Sequence, residues 1–166
     1  MSKFSFFLCA VKSISTMKNV PVKQNGLYGF ADKDGNIVIP CQWRAAKGFH
    51  CNRASVRNLE GKYGFIDQSG TLIIPCLWKR VYSFNENLAA VQDATGKWGY
   101  IDTCGNVIIP CQWKSARSFT SGQAVVEDEA GCWLFIDKHG TVLRHQSWTD
   151  TVKSVVRWLF SRVRKS

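Results

Sequence analysis

The 166-residue chain has no uninterrupted run of 18 apolar residues, so no segment is long enough to cross a bilayer as a helix. It lacks a CxxC pair and any paired Cys/His spacing of the kind that holds zinc. A Gly-rich phosphate loop, a G-x-S-x-G elbow and an H-E-x-x-H are absent as well. His50, His139 and His145 share no phase, and none has a partner at a ligand or catalytic spacing. The sequence therefore gives metal, cofactor and hydrolytic chemistry no starting point, and the chain is read as a non-enzyme without cofactors. Acid is scarce at both termini. Residues 1–24 hold four lysines and no carboxylate, and residues 141–166 hold six bases against Asp150 alone, so these ends carry +9 of the net +10. Residues 25–140 hold 12 bases and 11 acids. An anionic partner, whether membrane surface or nucleic acid, is accordingly expected at the termini.

What is present is a period of 35 residues. Gly26, Gly61, Gly96 and Gly131 align, as do Gly29, Gly64 and Gly99, and Gly35, Gly70, Gly105 and Gly140; 11 of the 13 glycines thus fall on three phases. Tyr28, Tyr63, Trp98 and Trp133 share a phase, as do Asp32, Asp67, Asp102 and Asp137, and Pro40, Pro75 and Pro110. Trp43, Trp78, Trp113 and Trp148 form another file, followed by Phe49, Phe84 and Phe119. So many positions agreeing at once mark a repeat architecture, which must be recognised before any element is assigned.

Each phase has a physical reading. Ala124–Glu127 and Cys132–Asp137 are rich in β-branched and aromatic residues and flank a turn closing on Gly131, which predicts a hairpin. The Asp-x-x-Gly that follows predicts a turn whose carboxylate accepts backbone N–H bonds. Val107–Ile109 reads as a third strand that Pro110 stops. In CQWKSARSF the spacing of Trp113, Ala116 and Phe119 by three predicts a turn of helix. The expectation is an all-β repeat protein of four stacked units of about 35 residues, each with about three short antiparallel strands and a helical turn, forming a solenoid-like array. The alternative is a small closed β-propeller, less favoured because 35 residues are few for a four-stranded blade.

The repeats are placed at 26–60, 61–95 and 96–130, with a partial unit at 131–148 in which Leu134 replaces the Gly and His145 the Pro. Residues 1–25 read as a degenerate half-repeat, since Leu8, Val11, Ile14 and Val20 fall in phase with Trp43, Ala46, Phe49 and Ser55. The segment also imitates a signal peptide, Lys3 preceding the apolar Phe4–Val11, but it runs into Lys12, Ser13 and Ile14 and not into a small-residue cleavage pattern. Seven cysteines are an odd number, and Cys41, Cys76 and Cys111 lie at one phase, farther apart in a stack than a disulfide tolerates. Free thiols and a cytoplasmic location are expected, with peripheral membrane association or export as the alternatives.

At KWGYID, the Gly turn, VIIP and the aromatic residues that follow, the chain resembles the bacterial WG-repeat family, also called KWG repeats. The resemblance is good over roughly residues 24–130 and looser over 131–148. It implies a β-rich array that mediates binding and has no catalytic residues. The chain departs from the pattern at Tyr28 and Tyr63 in the Trp position and at Leu134 in the Gly position.

Two groups of residues are candidates for binding. The aromatic file Tyr28, Tyr63, Trp98 and Trp133 is either a platform for a ligand or a stacked core element, and a ladder at fixed phase favours core. The in-phase aspartates supply one carboxylate per turn, too few for calcium, and read as turn caps. In residues 149–166, Val152, Val155, Val156, Leu159, Phe160 and Val163 step by three and four, which predicts a basic amphipathic helix. Lys153, Arg157, Trp158, Arg162 and Arg164 are its candidate contacts, if it docks on a membrane or a partner and does not cap the array. The function expected is a scaffold binding a protein or peptide through a face of the array. The alternative is peripheral binding of anionic membrane or nucleic acid through the basic termini.

Overall fold

A proline that follows three β-forming residues is expected to end a strand, because it has no N–H for the ladder. In the folded chain it does not. The computed structural model describes residues 19–145. In it Pro40, Pro75 and Pro110 each stand fourth in a seven-residue strand. The first sheet is β1 (Val20–Gln24), β2 (Leu27–Ala31) and β3 (Ile37–Trp43). The second is β4 (Ala45–Ala46), β5 (Ala54–Arg57), β6 (Tyr63–Ile66) and β7 (Leu72–Trp78). The third is β8 (Arg80–Val81), β9 (Leu88–Gln92), β10 (Trp98–Asp102) and β11 (Val107–Trp113). The fourth is β12 (Ser115–Ala116), β13 (Ala124–Glu127), β14 (Trp133–Ile136) and β15 (Val142–His145). All pairings are antiparallel between strands consecutive in the chain. The proline strand always lies at a sheet edge, where a missing donor is tolerated.

Two expectations need correcting. Sheets two to four have four strands and not three, so 35 residues do suffice for a four-stranded unit. The described residues contain no helical turn. The chain passes from β11 through Lys114 straight into β12, then into a hairpin in which Thr120 and Gln123 bond each other. The bend at Lys114 resets the strand alternation between Trp113 and Ala116, and the chain has left β12 before Phe119, so all three are buried with a spacing of three without any helix. The hairpins have two successive positive-φ residues, Cys51–Asn52, Glu86–Asn87 and Ser121–Gly122, the geometry that suits the sheet's twist. The helix expected over 149–166, and residues 1–18 of the half-repeat, lie outside the described residues.

The tryptophan-glycine or tyrosine-glycine pair is explained by what faces the glycine. In the first sheet Tyr28 pairs with Trp43 and Phe30 with Ile39, so Pro40, Cys41 and Gln42 lie opposite the single Gly29. The same bulge recurs opposite Gly64 and Gly99. A Cβ added at Gly99 would lie 2.5 Å from the carbonyl oxygen of Ile109 and 2.8 Å from the nitrogen of Cys111. The glycine therefore makes room for the backbone of the edge strand, and not for a neighbouring tryptophan.

Successive sheets pack face to face. Phe30 of the first sheet meets Phe49 of the second at 5.0 Å between ring centroids, Phe65 meets Phe84 at 4.7 Å, and Tyr100 meets Phe119 at 4.8 Å. All but Phe49 are buried, each contributing roughly 1.5–3 kcal/mol by leaving water. Ile39, Ile74 and Ile109 press against Gly70, Gly105 and Gly140 in the turn of the following sheet. Those glycines need positive φ, and they also need to lack a side chain at this contact. Where the other units have Phe, Tyr100 donates its hydroxyl to the Arg117 carbonyl at 2.7 Å, and burial holds that phenol above its ordinary pKa.

Gly99→Ala is expected to lower unfolding free energy by about 3 kcal/mol, the upper range for forcing atoms into a packed site. Gly48→Ala, where no atom lies within 4 Å, should change it little. Urea denaturation of the two variants checks this, and equal midpoints would contradict the bulge account.

Candidate functional site

The residue of the aromatic file sits at the centre of a row that crosses its sheet. In the second sheet Ala45, Arg57, Tyr63 and Trp78 face one another in register across four strands. The third sheet repeats the row as Arg80, Gln92, Trp98 and Trp113. Tyr28 stands between Lys23 and Trp43 in the first sheet. Side chains paired in this way share one face of the sheet.

The four rings hold equivalent places without stacking on one another. Tyr28, Tyr63 and Trp133 are half-buried, and Trp98 is 8% exposed. A cation or a ring of its own sheet covers each. Lys23 Nζ lies 5.4 Å from the Tyr28 ring centre, the Arg57 guanidinium 5.4 Å from Tyr63 and the Arg117 guanidinium 5.6 Å from Trp133. Tyr82 stacks on Trp98 with centroids 5.3 Å apart. Tyr82 and Arg117 are themselves one period apart, so one backbone position supplies the cover in the third and fourth sheets. Cation–π pairing at exposed sites contributes roughly 0.5–1 kcal/mol and orients the arginine side chain. Lys153, Arg157, Trp158, Arg162 and Arg164 lie outside the described residues.

The residues the sequence reading passed over are the crossovers. Arg44, Lys79 and Lys114 join one sheet to the next, and each donates its backbone N–H to the carbonyl of Arg57, Gln92 or Glu127. They are exposed and fall on one phase, all three basic, which is the signal that could have found them.

At the opposite ends of the sheets lie the aspartate turns. The Oδ1 of Asp102 accepts the N–H groups of Cys104 and Asn106, each at 2.9 Å, and Asp32, Asp67 and Asp137 repeat the arrangement. All four carboxyls are held below the ordinary range. The Asn36 side chain is the main cause at Asp32, the Ser69 hydroxyl at Asp67 and the Thr141 backbone N–H at Asp137; at Asp102 partial burial acts the other way and is outweighed by Asn106. Turn capping thus accounts for the aspartates. Asn58, Asp93 and Asp128 cap the hairpin turns in the same manner, a second series the sequence reading did not separate. The six cysteines among the described residues are free thiols, and burial pushes those of Cys76 and Cys111 up in pKa.

A known family profile agrees with this periodicity. The profile of the WG-containing repeat matches residues 28–63, 63–97 and 98–129. No curated protein matches the sequence. Among solved structures, the WD40 β-propeller domain of Doa1 aligns with 76% of this chain and 53% of its own, at 14% identity and a TM-score of 0.39.

A carboxylate whose pKa is depressed on folding stabilises the fold above its unfolded pKa, near 3.9, and that stability is lost as pH falls through the lower folded value. Thermal stability should therefore decline below about pH 4. Asp102→Ala, which removes an acceptor of two backbone bonds, should cost about 1 kcal/mol at neutral pH and flatten that decline. A thermal melt series from pH 7 to pH 2 measures both, and an acid slope unchanged in the variant would count against the capping role.

Proposed function

The chain belongs to the WG-repeat family, and from that premise we propose that it is a non-catalytic binding scaffold that engages a protein or peptide through a face of its repeat array. The observation that carries this reading is the assignment of the periodic residues. The in-phase aspartates hold turns, the in-phase glycines admit a bulge or a turn, and the in-phase aromatics pack the sheets. What varies over this constant frame is the exposed set along the rims, as expected where binding specificity resides on a rigid support.

We read the four sheets as an open, solenoid-like stack. The hydrogen bonds between sheets run from each sheet to the next, as in Asn19 to Gln68, Arg53 to Thr103 and Asn85 to Phe119, and among the described residues none joins the first sheet to the fourth, which supports a linear array. The free thiols of the described residues support a reducing, cytoplasmic setting. The competing reading, docking on an anionic membrane or nucleic acid through the termini, draws on the +9 carried by residues 1–24 and 141–166.

Salt and truncation separate the two. The tagged full chain is expected to retain a protein partner from an extract of its own cells at about 150 mM salt, where exposed charges are screened beyond roughly 8 Å. Removal of residues 150–166 should leave that capture intact. Binding to anionic liposomes that collapses over the same salt range and on the same truncation, with no protein retained, would replace the scaffold reading by the peripheral one.

A further inference from the structure

Antiparallel connections place every turn of this array at one of two rims. The first rim collects the turns after β1, β5, β9 and β13, the three crossovers, and the side chains laid over the aromatic rows. The second collects the Asp-x-x-Gly turns and the hairpins after β4, β8 and β12. The fold sorts charge between them. Of the charged residues in 19–145, the first rim holds nine basic and five acidic, and the second holds four basic and six acidic, with Arg144 on β15 apart from both. A middle segment that is nearly neutral in sequence is thus strongly polarised in space.

The basic rim is itself uneven. Over residues 20–92 it has six bases, among them Arg44, Arg57, Lys79 and Arg80, against Glu60 alone. None of the six forms an ion pair among the described residues. Farther along the same rim Lys97 is matched by Glu129 and Lys114 by Glu127. The unmatched part also bears the two most exposed large apolar side chains of the described residues, Leu59 at 66% and Leu77 at 68%. Leu59 adjoins the bases directly, since the Arg44 guanidinium donates to its carbonyl at 3.4 Å. Charges of one sign held close together without counterions repel, and an oppositely charged ligand relieves that repulsion.

We propose that the crossover rim of the first three sheets, from Arg44 through Arg57 to Lys79 and Arg80, is the docking surface for an acidic peptide segment of a partner protein that carries apolar side chains among its carboxylates. This rests on the scaffold reading and gives it a place and a chemistry. Carboxylates meet the unpaired arginines and lysines, and the apolar side chains cover Leu59 and Leu77. A nucleic acid suits the surface less well. The rings of Tyr28 and Tyr63 already carry Lys23 and Arg57 on one face, and Trp98 is buried beneath Tyr82, so the places where bases would stack are occupied. Beyond residue 92 the rim turns acidic, with Asp93, Glu127, Asp128 and Glu129 against three bases, which interrupts any phosphate track.

The test uses the full chain and a fluorescein-labelled peptide of repeated Glu-Glu-Leu triplets, followed by fluorescence anisotropy at about 50 mM salt, where the Debye length is near 14 Å. Lys79→Glu with Arg80→Glu should weaken binding about tenfold or more, near 1.4 kcal/mol per tenfold. Arg162→Glu with Arg164→Glu, which alters only the basic tail, should leave it within about twofold, or roughly 0.4 kcal/mol. Leu59→Ser with Leu77→Ser should weaken the Glu-Glu-Leu peptide and not a Glu-Glu-Ser peptide. Since all four array residues are exposed, unchanged thermal midpoints confirm that the variants fold. The proposal is overturned by no binding of the wild-type chain, by loss in the tail variant with none at Lys79 and Arg80, or by an oligothymidylate that binds more tightly at the same residues. Partner capture that survives Lys79→Glu with Arg80→Glu would overturn this surface alone, whereas the absence of any partner would overturn the scaffold reading itself.

Discussion

The close approach of a glycine to the backbone of its neighbouring edge strand governs the rest of the fold. Opposite Gly29, Gly64 and Gly99 the edge strand bulges over Pro, Cys and a third residue, and the carbonyl of the preceding isoleucine occupies the space a side chain would need. The bulge does two things. It allows proline inside a strand, since the residues opposite the glycine are outside the regular ladder. It also returns the strand to register four residues later, so that Trp43, Trp78 and Trp113 face Tyr28, Tyr63 and Trp98 before the chain crosses to the next sheet. The fourth sheet is a natural control. With Leu134 in place of the glycine and His145 in place of the proline, β14 and β15 pair Leu134 with His145 and Phe135 with Arg144, without the three-residue bulge. The two members of the contact are lost together, as expected if each has meaning only beside the other.

Much of this was legible in the sequence because it is local. A positive-φ glycine and a capping aspartate act within five residues, so the Asp-x-x-Gly turns and the hairpin joining β13 to β14 follow from spacing alone. The reason for the second glycine of each repeat was not legible. Its partner is a backbone carbonyl ten residues on, which no residue type announces. The helical turn predicted from Trp113, Ala116 and Phe119 fails for a related reason. A spacing of three marks a buried face whether the chain is helical or is extended and interrupted, and the crossover into β12 and the exit from it before Phe119 make it the latter.

The candidate site was half legible. The aromatic file is real as a register position, yet the rings are covered one by one from within their own sheets and form no ladder. What covers them could not be read linearly, since Arg57 and Tyr63 meet through a hairpin, while Tyr82 reaches Trp98 from the loop beyond β8. Charge was misleading for the same reason. Counted along the chain, basicity belongs to the termini, whereas counted by rim the array has its own basic and acidic ends.

That sorting follows from what each rim must do for itself. At the second rim the carboxylates are committed, because Asp32, Asp67, Asp102 and Asp137 bind their own backbone N–H groups and Glu86 accepts the N–H of Gly122 and pairs with Lys138 at 3.0 Å. Carboxylates so bonded are structural and leave little for a ligand. At the first rim the backbone of each crossover bonds through its own N–H; beside it the exposed contacts of Arg44 with the Leu59 carbonyl and of Lys114 with Glu127 add little, and the Lys79 side chain has no hydrogen bond or ion pair among the described residues. A position whose backbone is fixed and whose side chain has no structural duty can change charge without loss of fold. Repetition then multiplies that freedom once per sheet, and a run of similar sheets can carry, along one rim, a row of side chains chosen for what they meet.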